Sequence, residues 1–227
     1  MAPKVLGTLT IGQAPRPDVV PSIDAYVPPN VTRVHRGVLD GLSRAEIDAR
    51  YRPAPGEAVL ITRLQDGGAV ELSSRKMREG VQDALDRLDG EGCDVILLLC
   101  TGTFTGLECR RAWLIEPDWI IPPLAAALLQ QRQLGVIVPL ASQMHSESGK
   151  WRALARAPIF AAASPYAASP EEVLGAGREL QRRGAAALLL DCIGFTERHR
   201  SALAATGLPV ILSNAVVAKA VGELLGP

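Results

Sequence analysis

The chain has 227 residues, enough for one large domain or two small lobes sharing an interface. Hydrophobic residues make up 48% and charged residues 21%, so a full core can be buried and disorder is not expected. Twenty-four basic residues balance twenty-four acidic ones, which leaves no basic excess for capturing nucleic acid or an anionic membrane.

Met1-Ala2-Pro3-Lys4 runs straight into a short apolar stretch without the pattern of a secretory leader. Lys4 to Ile11 reads as a strand, and Pro17 suits the first turn of a helix reaching about Tyr26. Val31 to Val38 is a second strand. Ser43-Arg-Ala-Glu46 fits a capping box and predicts a short helix. Glu57 to Leu64 and Ala69 to Leu72, joined through Gly67-Gly68, read as a hairpin attached to the parallel sheet. Ser73 or Ser74 caps the next helix, whose apolar positions Met77, Val81, Leu85 and Leu88 keep helical spacing. Asp94 to Leu99 is apolar on both faces, as a central parallel strand is.

Helices through Leu124 to Gln131, through Trp151, from Pro170 to Arg183 and from Glu197 to Ala204 then alternate with strands. Those strands are Leu134 to Val138, Ile159 to Ala163, Ala185 to Leu190 and Val210 to Leu212, with a last helix over Asn214 to Leu225. The alternation is the signature of βαβ crossovers. An α/β fold follows, with parallel sheets flanked by helices. No apolar run is long enough to span a bilayer. The four cysteines form no C-x-x-C pair, so reduced thiols and a cytoplasmic location are expected.

Ligands of open parallel sheets bind at the carboxyl ends of the strands, and two segments there share one pattern. Val95-Ile-Leu-Leu-Leu-Cys100-Thr-Gly-Thr-Phe104 ends a buried strand in Cys100, Thr101, Gly102 and Thr103. Leu188-Leu-Leu-Asp-Cys192-Ile-Gly-Phe-Thr196 repeats it with Cys192, Gly194 and a Thr196 able to cap the next helix. A thiol before a helix N-terminus has its thiolate stabilised by backbone N–H groups, and the same amides and hydroxyls can hold a carboxylate. One thiolate could then take a proton from a carbon next to that carboxylate while the opposite thiol returns one, with no metal or coenzyme. A single cysteine at a strand end is more often a small hydrophobe; the repetition is what raises this pair above that reading. Cys93 and Cys109, the latter on a predicted helix, lack the setting and read as structural.

Gln13 and Arg16, in the loop after the first strand, lie at the same edge, where a guanidinium can grip a carboxylate bidentately. Ser213 and Asn214 read first as caps of the final helix and only secondarily as ligand contacts. Asp191 is read as pointing away from Cys192, and His199 as solvated. His35, His145 and His199 are scattered, which argues against a zinc site. Neither a P-loop nor a G-x-G-x-x-G motif is present, so no nucleotide site is expected.

Leu9-Thr-Ile-Gly-Gln-Ala-Pro-Arg-Pro-Asp18, Asp94-Val-Ile-Leu-Leu-Leu99, Gly135-Val-Ile-Val-Pro139, Leu190-Asp-Cys-Ile-Gly-Phe-Thr-Glu-Arg-His-Arg200 and Leu212-Ser-Asn214 resemble the AroM family over essentially the whole chain. More distantly the chain is similar to the aspartate/glutamate/hydantoin racemase superfamily. That resemblance implies two small pseudo-symmetric lobes: residues 1–119, and residues 120–207, with 208–227 returning to the first lobe. It implies one catalytic cysteine per lobe, Cys100 and Cys192, and ligand contacts in the first loop. The sequence departs from the racemase pattern, since Thr101-Gly102 follows Cys100 and Asp191 and Ile193 flank Cys192.

The reading is a cofactor-independent racemase or isomerase acting next to a carboxylate, with Cys100 and Cys192 catalytic. Gln13, Arg16, Thr101, Gly102, Thr103, Gly194, Thr196 and Asn214 are the expected substrate contacts. The alternatives are a decarboxylase or lyase using mainly Cys192, and a non-catalytic carboxylate sensor. The expected partner is a small carboxylate-bearing molecule, with no metal, nucleic acid or membrane. A homodimer is the default assembly, C2 dimers being the commonest.

Overall fold

A computed structural model describes residues 4–146 and 149–226. The leading Met1–Pro3 segment and the side chain of His145 lie outside what it describes. The elements are β1 (Val5–Thr10), α1 (Val20–Asp24), β2 (Thr32–Gly37), α2 (Arg44–Tyr51), β3 (Val59–Arg63), β4 (Ala69–Ser73), α3 (Ser74–Gly90), β5 (Val95–Leu99) and β6 (Trp113–Ile115). They continue with α4 (Pro117–Leu129), β7 (Leu134–Val138), α5 (Gln143–Ser146), β8 (Ile159–Ala162), α6 (Pro170–Arg182), β9 (Ala187–Leu190), α7 (Glu197–Leu203), β10 (Val210–Leu212) and α8 (Ser213–Leu225). The chain divides into two compact units, Met1–Pro117 with Val217–Pro227, and Asp118–Val216. No helix among the described residues is long and apolar enough to cross a membrane.

Each unit holds one four-stranded parallel sheet. The first is ordered β2-β1-β5-β6 and the second β10-β9-β7-β8. The first sheet, numbered by chain order within itself, runs 2-1-3-4, and the second, numbered likewise, runs 4-3-1-2. Read from its other edge the second sheet is 2-1-3-4 as well. The two halves therefore repeat one topology, and their sequences resemble each other at the cysteine turns. In such a sheet the chain reverses its winding between the first and third strands, and that switch point is where the carboxyl ends open a crevice. Here the switch points lie between β1 and β5, and between β7 and β9.

The local causes are those the sequence suggests. All five residues of β5 are buried, as are all five of β7. The Ser43 side chain and Glu46 close the capping box of α2, and Ser73 caps α3 by accepting from the Lys76 N–H. On α3 the buried stripe is Met77, Val81, Ala84, Leu85 and Leu88, which lies against β1, β2, β4 and β5. Fully burying one such side chain contributes about 1.5–3 kcal/mol, so this stripe is the main reason α3 covers the first sheet.

Several expectations are corrected. The hairpin β3–β4 does not join the parallel sheet but forms its own two-stranded sheet. Its buried residues Leu60, Thr62, Val70 and Leu72 are held by side-chain packing instead. Strand β6 was not expected, and Cys109 lies in the loop before it rather than on a helix. That loop is fixed from a distance: the Asp89 carboxylate accepts the N–H groups of Arg110, Arg111 and Ala112 at 3.0, 3.1 and 2.7 Å. Helix α4 starts at Pro117 rather than Leu124, since Pro117 suits a first turn although Pro122 and Pro123 remove two donors from the ladder. Trp151 sits in a turn, the four-residue α5 being the only helix of that stretch among the described residues. Strand β10, expected to return with the C-terminal helix to the first lobe, pairs with β9 in the second sheet, and the boundary between units falls inside α8.

Candidate functional site

In the first unit the register aligns Thr10 of β1 with Leu99 of β5, so the loops after these strands leave the sheet side by side. Cys100 is buried, and its sulfur accepts the N–H of Gly102 at 3.4 Å. No helix follows it; the chain runs through a loop into β6, which corrects the expected helix N-terminus. The stabilising group at Cys100 is thus a local backbone amide and not a helix dipole. Thr101 is buried and Thr103 exposed. Gly102 leaves room for the hairpin: a Cβ there would lie 2.6 Å from Leu60 Cδ2.

Arg16 and Gln13 reach the same edge but are engaged within the protein. Arg16 is 4% exposed and pairs bidentately with Asp18, Nε to Oδ1 at 2.8 Å and NH2 to Oδ2 at 2.7 Å. Burial pushes the Asp18 carboxyl up, but the Arg16 hydrogen bond and charge outweigh it and hold the carboxyl below its ordinary value. The bidentate edge expected to grip a ligand is therefore taken by a side chain two residues away. Gln13 donates to the Leu39 and Leu42 carbonyls and accepts the Gln65 N–H at 2.9 Å, so it ties the loop to the hairpin turn.

In the second unit Leu190 of β9 aligns with Ile137 of β7 and Leu212 of β10. The Cys192 loop thus emerges between the loop after β7 and the start of α8. Cys192 is buried, and its sulfur accepts the Gly194 N–H at 3.4 Å, matching Cys100 and Gly102. Ser213 and Asn214 open α8 and are both fully buried. The Ser213 hydroxyl donates to Leu190 O at 2.6 Å, and Asn214 Nδ2 donates to Ile193 O at 3.2 Å and Phe195 O at 2.6 Å. Asn214 is 0% exposed, and its two donated hydrogen bonds brace the Cys192 loop.

Asp191 forms a buried ion pair with Lys150 at 2.6 Å, both side chains 2% exposed. Lys150 carries no sequence signal of its own. Tyr166, also missed, places its hydroxyl 3.9 Å from the Cys192 sulfur. Thr196 caps α7, donating its N–H to His199 Nδ1 at 2.9 Å. His199 is buried rather than solvated, and burial followed by the Arg198 charge lowers its pKa. His35, facing Thr8 Oγ1 at 2.7 Å, is likewise lowered, by burial first and then by Arg33 against the opposing pull of Asp24.

Two consequences can be measured. Since the folded pKa of both histidines lies below the unfolded value of about 6.5, the native state binds fewer protons there. Their contribution is complete above about pH 6.5 and is lost as pH falls toward the lowered folded values. The urea midpoint should fall between pH 7.5 and pH 5.5, less so in a His35→Gln/His199→Gln variant; equal pH dependence in both proteins would refute it. Separately, burial followed by the Glu91 and Asp94 charges pushes the Cys93 thiol up to about 11, and burial with Asp89 and Asp86 does the same for Cys109. At pH 7.5 each carries about a hundredfold less thiolate than an ordinary cysteine. Iodoacetamide should leave both unmodified at that pH, as read by peptide mass spectrometry; rapid labelling of either contradicts this.

The fold is that of the Asp/Glu racemase architecture. Similar solved structures include the maleate isomerase Iso from Pseudomonas putida S16, 13% identical, covering 98% of this chain and 92% of that one with a TM-score of 0.62. The Picrophilus torridus aspartate racemase is 13% identical, covering 98% and 94% with a TM-score of 0.59. An arylmalonate decarboxylase is 12% identical, covering 98% and 93% with a TM-score of 0.58. At these identities the likeness is one of fold. No curated protein matches the chain by sequence. The AroM protein family profile matches residues 6–225, and the chain belongs to the AroM family.

Proposed function

We propose that this protein is a cofactor-independent racemase or isomerase that moves a proton at a carbon next to a carboxylate, using Cys192 and Cys100 as its acid–base thiols. The observation that carries this reading is the matched setting of the two sulfurs. Each follows the third strand of a 2-1-3-4 sheet, and each accepts the N–H of the residue two places on at 3.4 Å. An amide donor favours the charged form of a thiol, which is the form that removes a proton. In this scheme one thiolate takes the proton, the electron pair delocalises onto the carboxylate, and the other thiol delivers a proton to the opposite face.

With Gln13 bonded to Leu39, Leu42 and Gln65 and Arg16 paired with Asp18, this reading gives carboxylate binding to the Thr101 and Thr103 hydroxyls and the backbone N–H groups of the two turns. Thr196 is committed to α7, and Asn214 holds the Cys192 loop in shape. The second reading, a decarboxylase in which Cys192 alone protonates the carbanion left by loss of carbon dioxide, is favoured by the Tyr166 hydroxyl beside Cys192.

The test is proton NMR of small carboxylates and amino acids incubated with the protein in D₂O. Loss of a proton signal on the carbon next to the carboxylate supports the first reading, and a decarboxylated product supports the second. A panel with neither outcome, together with saturable carboxylate binding, would point to a sensor.

A further inference from the structure

The surroundings of Cys192 contain a group that the proposed chemistry leaves unused. Tyr166 lies in the loop after β8, where its N–H donates to Ser164 Oγ at 3.2 Å. Its ring is seated over Gly194. A Cβ at that position would lie 2.5 Å from the tyrosine oxygen and 2.7 Å from two ring carbons, distances that real Cβ atoms do not tolerate. Gly194 therefore serves two purposes: its N–H reaches the Cys192 sulfur, and its missing side chain admits the ring that brings a hydroxyl to 3.9 Å from the same sulfur.

We propose that Tyr166 is a positioning residue for Cys192, its hydroxyl acting as a second donor to the sulfur and Gly194 being the residue that makes the arrangement sterically possible. The inference rests on the reading of Cys192 as an acid–base thiol. A thiolate sulfur has no proton to give and can only accept, so when the sulfur is charged the phenol O–H is the donor. The O···S distance is at the long end for such a bond, so its effect is smaller than that of a short charge-assisted one. Two further titratable features border this loop: the Asp191–Lys150 ion pair, whose charges offset each other, and His199, whose Nδ1 is engaged by Thr196.

Alkylation of Cys192 by iodoacetamide in the full chain, followed from pH 6 to pH 10 by peptide mass spectrometry, tests this directly. In Tyr166→Phe the ring stays and the donor is lost. The rate at pH 7 should fall by about three- to tenfold, the midpoint should move to higher pH, and the rate near pH 10 should match the parent. Gly194→Ala, which pushes the ring away while keeping the N–H, should shift the profile in the same direction and serves if the Phe variant does not fold. Unchanged or faster alkylation at pH 7 in both folded variants overturns the proposal. If wild-type protein exchanges no substrate proton yet Tyr166→Phe shifts the profile, the proton-transfer reading fails and Tyr166 keeps its role. If the wild type exchanges and neither variant shifts the profile, proton transfer stands and the role of Tyr166 falls.

Discussion

Replacing Cys192 by Ala is expected to lower solvent-proton exchange into substrate by about 10²–10⁴-fold, the usual contribution of a positioned acid or base. Cys192 is a buried member of the second unit's core, but the change removes only the sulfur atom, so the loss of stability should be about 1 kcal/mol. Cys100→Ala separates the two chemical readings. A two-thiol racemase loses a comparable factor, because each face of the carbon needs its own proton carrier. A decarboxylase keeps most of its product formation, because a single donor suffices. The exchange assay in D₂O reports both variants, with far-ultraviolet circular dichroism confirming that they fold. Full exchange in Cys192→Ala would falsify the assignment of this thiol.

Phe195→Ala should be the most destabilising single substitution near the site, by about 3–5 kcal/mol. Phe195 is 0% exposed and belongs to the core of the second unit with Leu180, Leu188, Leu190 and Leu203. Its ring meets His199 edge to face, centroids 5.2 Å apart, and its carbonyl accepts the Asn214 amide at 2.6 Å. Truncation thus leaves a cavity directly beneath the loop that carries Cys192 and Gly194. For a chain of this size such a loss lowers the melting temperature by roughly 10 °C. Phe195→Leu, which refills much of the volume, should cost far less. Thermal unfolding of the three proteins decides the matter, and a drop of under about 1 kcal/mol for the alanine variant would mean that the loop repacks.

Local sequence carries the strand at Val210–Leu212, the capping box of α2, the stripe on α3 and the two cysteine turns, because each depends on neighbours within a few residues. Periodicity, capping and the rule for carboxyl edges are enough for those. They are not enough for β6, whose approach is set by Asp89 some twenty residues upstream, nor for the hairpin, whose buried face chooses packing over the sheet edge.

The same division runs through the candidate site. Cys100 and Cys192 are legible as a pair because a thiol after a buried strand, followed two residues later by Gly, is a local pattern. Arg16 is equally visible, but its partner Asp18 is decided by how the loop turns, and a guanidinium held in a bidentate pair offers a different surface from a solvated one. Lys150 and Tyr166 carry no pattern at all. They meet the Cys192 loop only because β7 and β8 bring distant loops to the edge where β9 ends, and a hydrogen bond formed that way leaves no trace in spacing. Sequence by itself determined the fold class and the family, and placed Cys100 and Cys192 after buried strands. Tertiary structure alone decided which polar groups surround each thiol, since long-range contacts are set by strand order and not by neighbours in the chain.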